Sequence, residues 1–214
     1  ESVAESIGAA LGLMIHRQAG QSCVVGRDGR LSGPRLGDAL SRGLMAAGVD
    51  VIDHGMVPTP VVYFGTVKTA CGSGVAVTGS HNPPQYNGLK MMVGGVTLWG
   101  PTIQSLYELI VSGEAAGHCS GIAAEKKGRR IPHPEMVNEY VQAVTADIRL
   151  SRPMVVAVDA GNGVAGGLAP QLLEKLGCKV YPLYCDVDGI FPNHHPDPAH
   201  PENNGKVFLF RYGK

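Results

Sequence analysis

Short apolar runs at residues 22–25, 49–52, 74–77 and 89–93 punctuate the first half of this chain, most of them separated by segments whose apolar residues return every three or four positions. A four-residue apolar run fits a strand buried on both faces, and the longer spacing fits a helix with one buried stripe. Val3, Ile7, Ala10, Leu11 and Met14 form the first stripe. Ser32 is placed to cap the next helix, with Pro34 in its first turn, Leu36, Leu40 and Leu44 on one face and Gly48 as its stop. Pro58-Thr59-Pro60 opens a third helix through about Ala70, and two more start at Pro101 and Pro134, the last with Val137, Tyr140, Val141, Val144 and Ile148 on one stripe. Pro153 marks a boundary. Beyond it a strand at 154–158, a glycine turn, a helix to about Leu176 and a strand at 179–183 repeat the pattern. The alternation predicts an α/β fold: a three-layer, mostly parallel sheet with helices on both faces over residues 1–150, followed by the start of a second similar domain over 151–214. Ligands of such sheets gather at the carboxyl ends of strands.

Charge narrows the partners. Eighteen Lys and Arg balance eighteen Asp and Glu, so no long-range field favours a nucleic acid or an anionic membrane, and a small molecule is the expected partner. No apolar run approaches the roughly 18 residues of a membrane span, and no signal peptide opens the chain. Cys23, Cys71, Cys119, Cys178 and Cys185 are odd in number and never spaced as C-x-x-C, which argues against a disulfide framework or a cysteine zinc site and for a reducing cytoplasm. The chain opens at Glu1 inside a helical pattern, so residues are expected upstream.

The run at 74–77 delivers Thr78-Gly79-Ser80-His81-Asn82-Pro83-Pro84. Gly, Ser, Asn and Pro are ordinary turn residues, and a plain turn is one reading of Ser80. A hydrolase nucleophile is another. It fits poorly, because Thr78 and Asn82 stand where the nucleophile elbow needs glycines, and adjacent side chains on an extended chain would carry His81 away from Ser80. Phosphoryl transfer fits better: Gly79 permits close approach, backbone N–H groups, His81 and Lys90 can neutralise charge, and the prolines hold the hydroxyl still.

With Tyr86-Asn87-Gly88-Leu89-Lys90 the loop resembles the phosphoserine loop of the α-D-phosphohexomutases, in particular the bacterial phosphomannomutase/phosphoglucomutase group. The resemblance continues in order through residues 25–34 (VGRDGRLSGP), 55–60 (GMVPTP), 158–166 (VDAGNGVAG) and 191–198 (FPNHHPDP), and covers about Glu1 to Asn203. It implies a Ser80 that carries a phosphoryl group, passes it to a hexose 1- or 6-phosphate and recovers the other phosphate from a bound 1,6-bisphosphate. It also implies Mg²⁺ on the Ser80 phosphate, glucose 1,6-bisphosphate as activator, Lys90 as proton-transfer partner or phosphate clamp, and His81 and Asn82 lining the site. The glycine and proline pattern is closer to the mannose and glucose mutases than to the glucosamine branch. A monomer is expected. The family's Asp-Gly-Asp-Gly-Asp-Arg metal loop, its sugar-recognition loop and its C-terminal phosphate-binding domain are not among these 214 residues, so no turnover is expected from them alone, and a non-catalytic phosphosugar-binding fragment is a further reading.

Three other signals compete. Gly161-Asn162-Gly163-Val164-Ala165-Gly166 spells G-x-G-x-x-G with Asp186 beyond it, the fingerprint of a dinucleotide-binding oxidoreductase, although Asp159 just before it would repel a pyrophosphate. His194, His195, Asp197 and His200 could form a metal cluster or, among four prolines, a stiff connector. Arg27 and Arg30 around Asp28 are either an ion-paired turn or a phosphate-attracting rim, with Arg30 the better phosphate-binding candidate.

Overall fold

The computed structural model describes residues 1–197 and 199. The elements run α1 (Ser2–Arg17), β1 (Ser22–Arg27), α2 (Gly33–Ala46), β2 (Asp50–Met56), α3 (Thr59–Lys68), β3 (Gly74–Val77), β4 (Leu89–Val93), β5 (Val96–Thr97), α4 (Gly100–Val111), α5 (Glu114–Gly121), β6 (Arg130–Pro132), α6 (Met136–Asp147), β7 (Val155–Asp159), α7 (Ala169–Lys175) and β8 (Lys179–Leu183). Six strands form one sheet in the order β5-β4-β3-β1-β2-β6, and β7 pairs with β8 in a second. Strands β3, β1, β2 and β6 are parallel, and β4 and β5 are the antiparallel edge. The parallel sheet covered on both faces is the architecture that the alternation predicts.

Strand alternation divides the core. Cys23, Val25, Val75, Val77, Met91 and Val93 face Leu11, Ile15, Leu40 and Leu44 of α1 and α2 and Leu106 and Leu109 of α4. Val24 and Ala76 point the other way, onto Val61 and Val62 of α3 and Met136 and Val141 of α6. Leu168, from beyond Pro153, joins this second cluster. No helix among the described residues is long and apolar enough to cross a membrane, and all five cysteines are unbridged.

Three elements escaped the sequence pattern: β5, two exposed residues at the sheet edge, α5 and β6. Helix α5 is built mostly from small residues and buries only Ala115, so it leaves no periodic stripe. Strand β6 is exposed at all three positions and is recruited by backbone pairing of Val51, Ile52 and Asp53 with residues 130–132, helped by Arg130 to Asp38 at 2.8 Å and to Asp53 at 3.6 Å. Ser32 sits at the N-cap of α2 without using its hydroxyl as a cap. The hydroxyl instead accepts from Asn87 Nδ2 at 2.8 Å, so the expected cap is a tie to the Ser80 loop. Gly48 does end α2, at φ +84°.

The β1–β2 register shifts between Val25 and Gly26, which leaves His54 unopposed in a bulge. Its ring is 4% exposed, lies edge-on to His133 at 5.7 Å and has no hydrogen bond on either nitrogen. Burial, reinforced by His133 and opposed by Asp53 and Glu139, lowers the imidazole to about 4. His54 is therefore neutral when folded. Because the unfolded imidazole titrates near its ordinary value, stability is lost as pH falls from about 6.5 towards 4, amounting to about 1–2 kcal/mol at pH 5. Denaturant unfolding at pH 7 and pH 5 should show this loss, and His54→Leu should flatten it.

Candidate active site: the Ser80 loop

Strand β3 ends at Val77, and the chain then turns so that Thr78 and Gly79 are buried and Ser80 emerges exposed. Ser80 has φ +55°, a left-handed conformation that costs an L-residue about 1–2 kcal/mol and persists only where its surroundings impose it. Asp28, just past the end of β1, supplies one half of the constraint. Its Oδ2 accepts from the Thr78 hydroxyl at 2.7 Å and from the Gly79 N–H at 3.3 Å, and the Ser80 N–H donates in turn to Thr78 Oγ1 at 2.9 Å.

Arg30 supplies the other half. Its side chain is fully buried, and all five of its N–H donors are committed. Nε donates to Asp28 Oδ2 at 3.1 Å, one terminal nitrogen to the carbonyls of Pro83 (2.5 Å) and Tyr86 (3.0 Å), and the other to those of Ser80 (3.0 Å) and Asn82 (2.6 Å). Carbonyls of an irregular loop have no ladder to bond to, and here one guanidinium serves four of them. This corrects the phosphate-binding role expected of Arg30: no N–H is left for a ligand, and the ion-paired-turn reading holds. Gly79 is needed because a Cβ there would lie 2.5 Å from Arg30 Cζ. Sequence reasoning did not single out Thr78, and it named Asp28 as the partner in an ion-paired turn without placing it under the Ser80 loop. The G-x-D-x-R spacing was the available signal.

The remaining residues fall as follows. His81 is exposed with Nδ1 3.5 Å from Ser80 Oγ, at the outer limit of hydrogen-bond reach. The left-handed turn brings the neighbours together where an extended chain would separate them, which corrects that expectation. Asn82 turns its amide nitrogen back to the Gly79 carbonyl at 2.9 Å, so it braces the loop. Lys90 is exposed on β4 opposite Ala76, one rung behind the Val77–Leu89 pair at the loop's base. Asp28 is occupied within the loop, and among the described residues no three His, Cys, Asp or Glu side chains converge; the three-aspartate loop to which the resemblance assigns Mg²⁺ is not among these 214 residues.

The glycine-rich motif has another use than nucleotide binding. Asp159 Oδ1 accepts the Gly161 N–H at 2.9 Å, filling the turn with a carboxylate where pyrophosphate would need free donors. A short 3₁₀ turn at Val164–Gly167 follows, not a helix start. A Cβ at Gly166 would strike the Cys185 carbonyl at 2.1 Å. His194 bonds to Asp159 at 2.9 Å, and no metal group forms with His195 and Asp197 among the described residues. His200 and the tail after Asn203 lie outside those residues.

Residues 1–116 match the phosphoglucomutase/phosphomannomutase α/β/α domain I and residues 138–209 match domain II. A phosphoglucomutase of Neisseria meningitidis is 47% identical over 203 residues, 95% of this chain and 43% of the relative. A phosphomannomutase/phosphoglucomutase of Pseudomonas aeruginosa is 51% identical over 185 residues, 86% of this chain and 38% of the relative. A crystal structure of a phosphoglucomutase/phosphomannomutase family protein from Burkholderia thailandensis superposes with a TM-score of 0.88 at 48% identity, covering 97% of this chain and 45% of that one. The chain thus spans less than half the length of these relatives. Matched domain for domain and carrying an exposed serine on a loop clamped by Asp28 and Arg30, the chain belongs to the phosphoglucomutase/phosphomannomutase family.

Proposed function

We propose that Ser80 is the phosphoryl carrier of a mutase that interconverts hexose 1- and 6-phosphates of mannose and glucose through a 1,6-bisphosphate. The observation that carries this reading is the loop's design: Thr78, Asp28 and Arg30 hold the backbone in a left-handed turn that leaves the hydroxyl as its exposed polar tip, and strain of this kind clusters at sites that pre-organise a reacting group. In the transfer step the Ser80 Oγ–phosphorus bond breaks as a sugar hydroxyl oxygen bonds to phosphorus. The sugar hydroxyl loses its proton to a neighbouring base, and the Ser80 oxygen leaves as an alkoxide that is protonated or takes the next phosphoryl group. His81, 3.5 Å from Oγ, serves proton exchange at that oxygen, and Lys90 neutralises charge that develops on the phosphoryl oxygens. Asn82 and Arg30 act by keeping the loop in shape. Mg²⁺, which the resemblance places on the Ser80 phosphate, would offset charge on the phosphoryl oxygens when bound.

Glucose 1,6-bisphosphate is the expected phosphoryl donor and activator, and the enzyme is expected to work as a cytoplasmic monomer without nucleic acid or membrane partners. Intact-mass measurement tests the carrier assignment directly. Incubating the full-length protein with glucose 1,6-bisphosphate should add one phosphoryl group, mapped to Ser80, and a label on any other side chain would overturn it. Lys90→Ala should lower kcat by about 10²-fold with KM within about threefold, as expected for stabilisation that strengthens in the transition state. A change confined to KM would make Lys90 a ground-state clamp. The 214 residues alone should show no turnover in a coupled mutase assay, and the full-length enzyme should have a higher kcat/KM on glucose and mannose 1-phosphates than on glucosamine 1-phosphate.

A further inference from the structure

Arg30 has a neighbour that none of the loop chemistry explains. The turn after β8 lies on it from beyond the Pro153 boundary. A Cβ at Gly189 would sit 2.5 Å from the Gly29 carbonyl and 3.0 Å from Arg30 Cα, and one at Gly29 would strike Val187 at 2.3 Å. Phe191 then places its ring 5.1 Å from Arg30 Cζ, with the guanidinium over the ring. With the edges of that guanidinium consumed by five hydrogen bonds, what is left to cover is a flat cationic face, and an aromatic face is the group that stabilises it while keeping water out.

Phe191 is itself held. Asn162, the second residue of the glycine-rich motif, is buried in a left-handed conformation at φ +60°. Its Nδ2 donates to the Asp186 carbonyl at 2.9 Å, its Oδ1 accepts from Asn193 Nδ2 at 2.8 Å, and its carbonyl accepts the Asp188 N–H at 2.9 Å. The Phe191 N–H donates to the Asp188 carbonyl at 3.1 Å. A continuous set of contacts therefore leads from Asn162 through residues 186–193 to Phe191, Arg30 and the Ser80 carbonyl.

We propose that Phe191, fixed by Asn162, is a positioning residue for the Ser80 loop, so that the segment beyond Pro153 sets the order of the phosphoryl-carrying loop through Arg30. The proposal rests on the reading of Ser80 as carrier, and it deepens that reading by naming what controls the carrier from outside its own sheet. In the full-length enzyme, Phe191→Ala should speed amide hydrogen exchange at Ser80, Asn82 and Tyr86 by about tenfold or more while leaving β1 and β3 unchanged. It should lower kcat by about tenfold with KM within about twofold, and Phe191→Tyr should restore both, since it keeps the ring face. If Phe191→Ala does not fold, Phe191→Leu carries the same two expectations, because it keeps apolar bulk and removes the aromatic face. Unchanged loop exchange, or an effect on KM alone, would overturn the proposal. The exchange readout needs no turnover, so full activity in a Ser80→Ala control would defeat the carrier reading while leaving this coupling to be judged on exchange alone.

Discussion

Ser80→Gly is expected to make the folded protein slightly more stable than Ser80→Ala while both abolish mutase turnover. Both variants lack the oxygen that would carry phosphate, and loss of a nucleophile removes the covalent route altogether, so kcat should fall by at least about 10³-fold in the full-length enzyme. They differ in the backbone. At φ +55° glycine is free of the Cβ clash that alanine inherits, and the difference, offset in part by the greater chain entropy of unfolded glycine, should be about 0.5–1 kcal/mol. Denaturant unfolding of the two variants measures it, and a coupled assay measures the rest. Glycine no more stable than alanine would mean that the turn is not strained at this residue. Near-normal turnover in either would remove Ser80 from the chemistry.

Arg30→Ala carries the larger stability effect. It would leave four loop carbonyls and the Asp28 carboxylate, whose side chain is 12% exposed, without their common donor. Breaking a buried pair by removing one partner costs about 3–5 kcal/mol, because the remaining charge stays desolvated. Arg30→Lys should recover little of this, since three ammonium donors on a flexible stem cannot reproduce five in a planar fork. Turnover should fall with loop order in both variants. Chemical denaturation of the full-length protein checks the first expectation. If Arg30→Lys were as stable as wild type and only raised KM for the sugar phosphate, the guanidinium would be a substrate ligand and not the clamp of the loop.

These two residues show where a linear reading stops. Ser80 stood out as a hydroxyl between a glycine and a proline pair at the end of an apolar run, a pattern that local chemistry interprets without any distant contact. Arg30 lay in an equally recognisable turn, but its partners at 80, 82, 83 and 86 are about fifty residues away, and only the parallel pairing of β1 with β3 brings them together. A basic residue in a motif that resembles the phosphohexomutases reads as a phosphate ligand until its donors are counted. His81 misled for a related reason: the divergence of neighbouring side chains assumes an extended backbone, and the turn at Ser80 is left-handed.

The apolar runs and helical stripes by themselves determined the layered α/β architecture, since a strand such as 74–77, apolar at every position, must be covered on both faces wherever it lies. They also determined that the Ser80 loop leaves a strand at its carboxyl end. The tertiary structure alone decided the rest. Edge strand β6 exists through backbone pairing and ion pairs that no periodicity records, Asn162 and the glycines around it serve close packing against residues 184–194, and Arg30 belongs to the loop because hydrogen bonds and burial depend on which groups meet in space, a property that spacing along the chain does not carry.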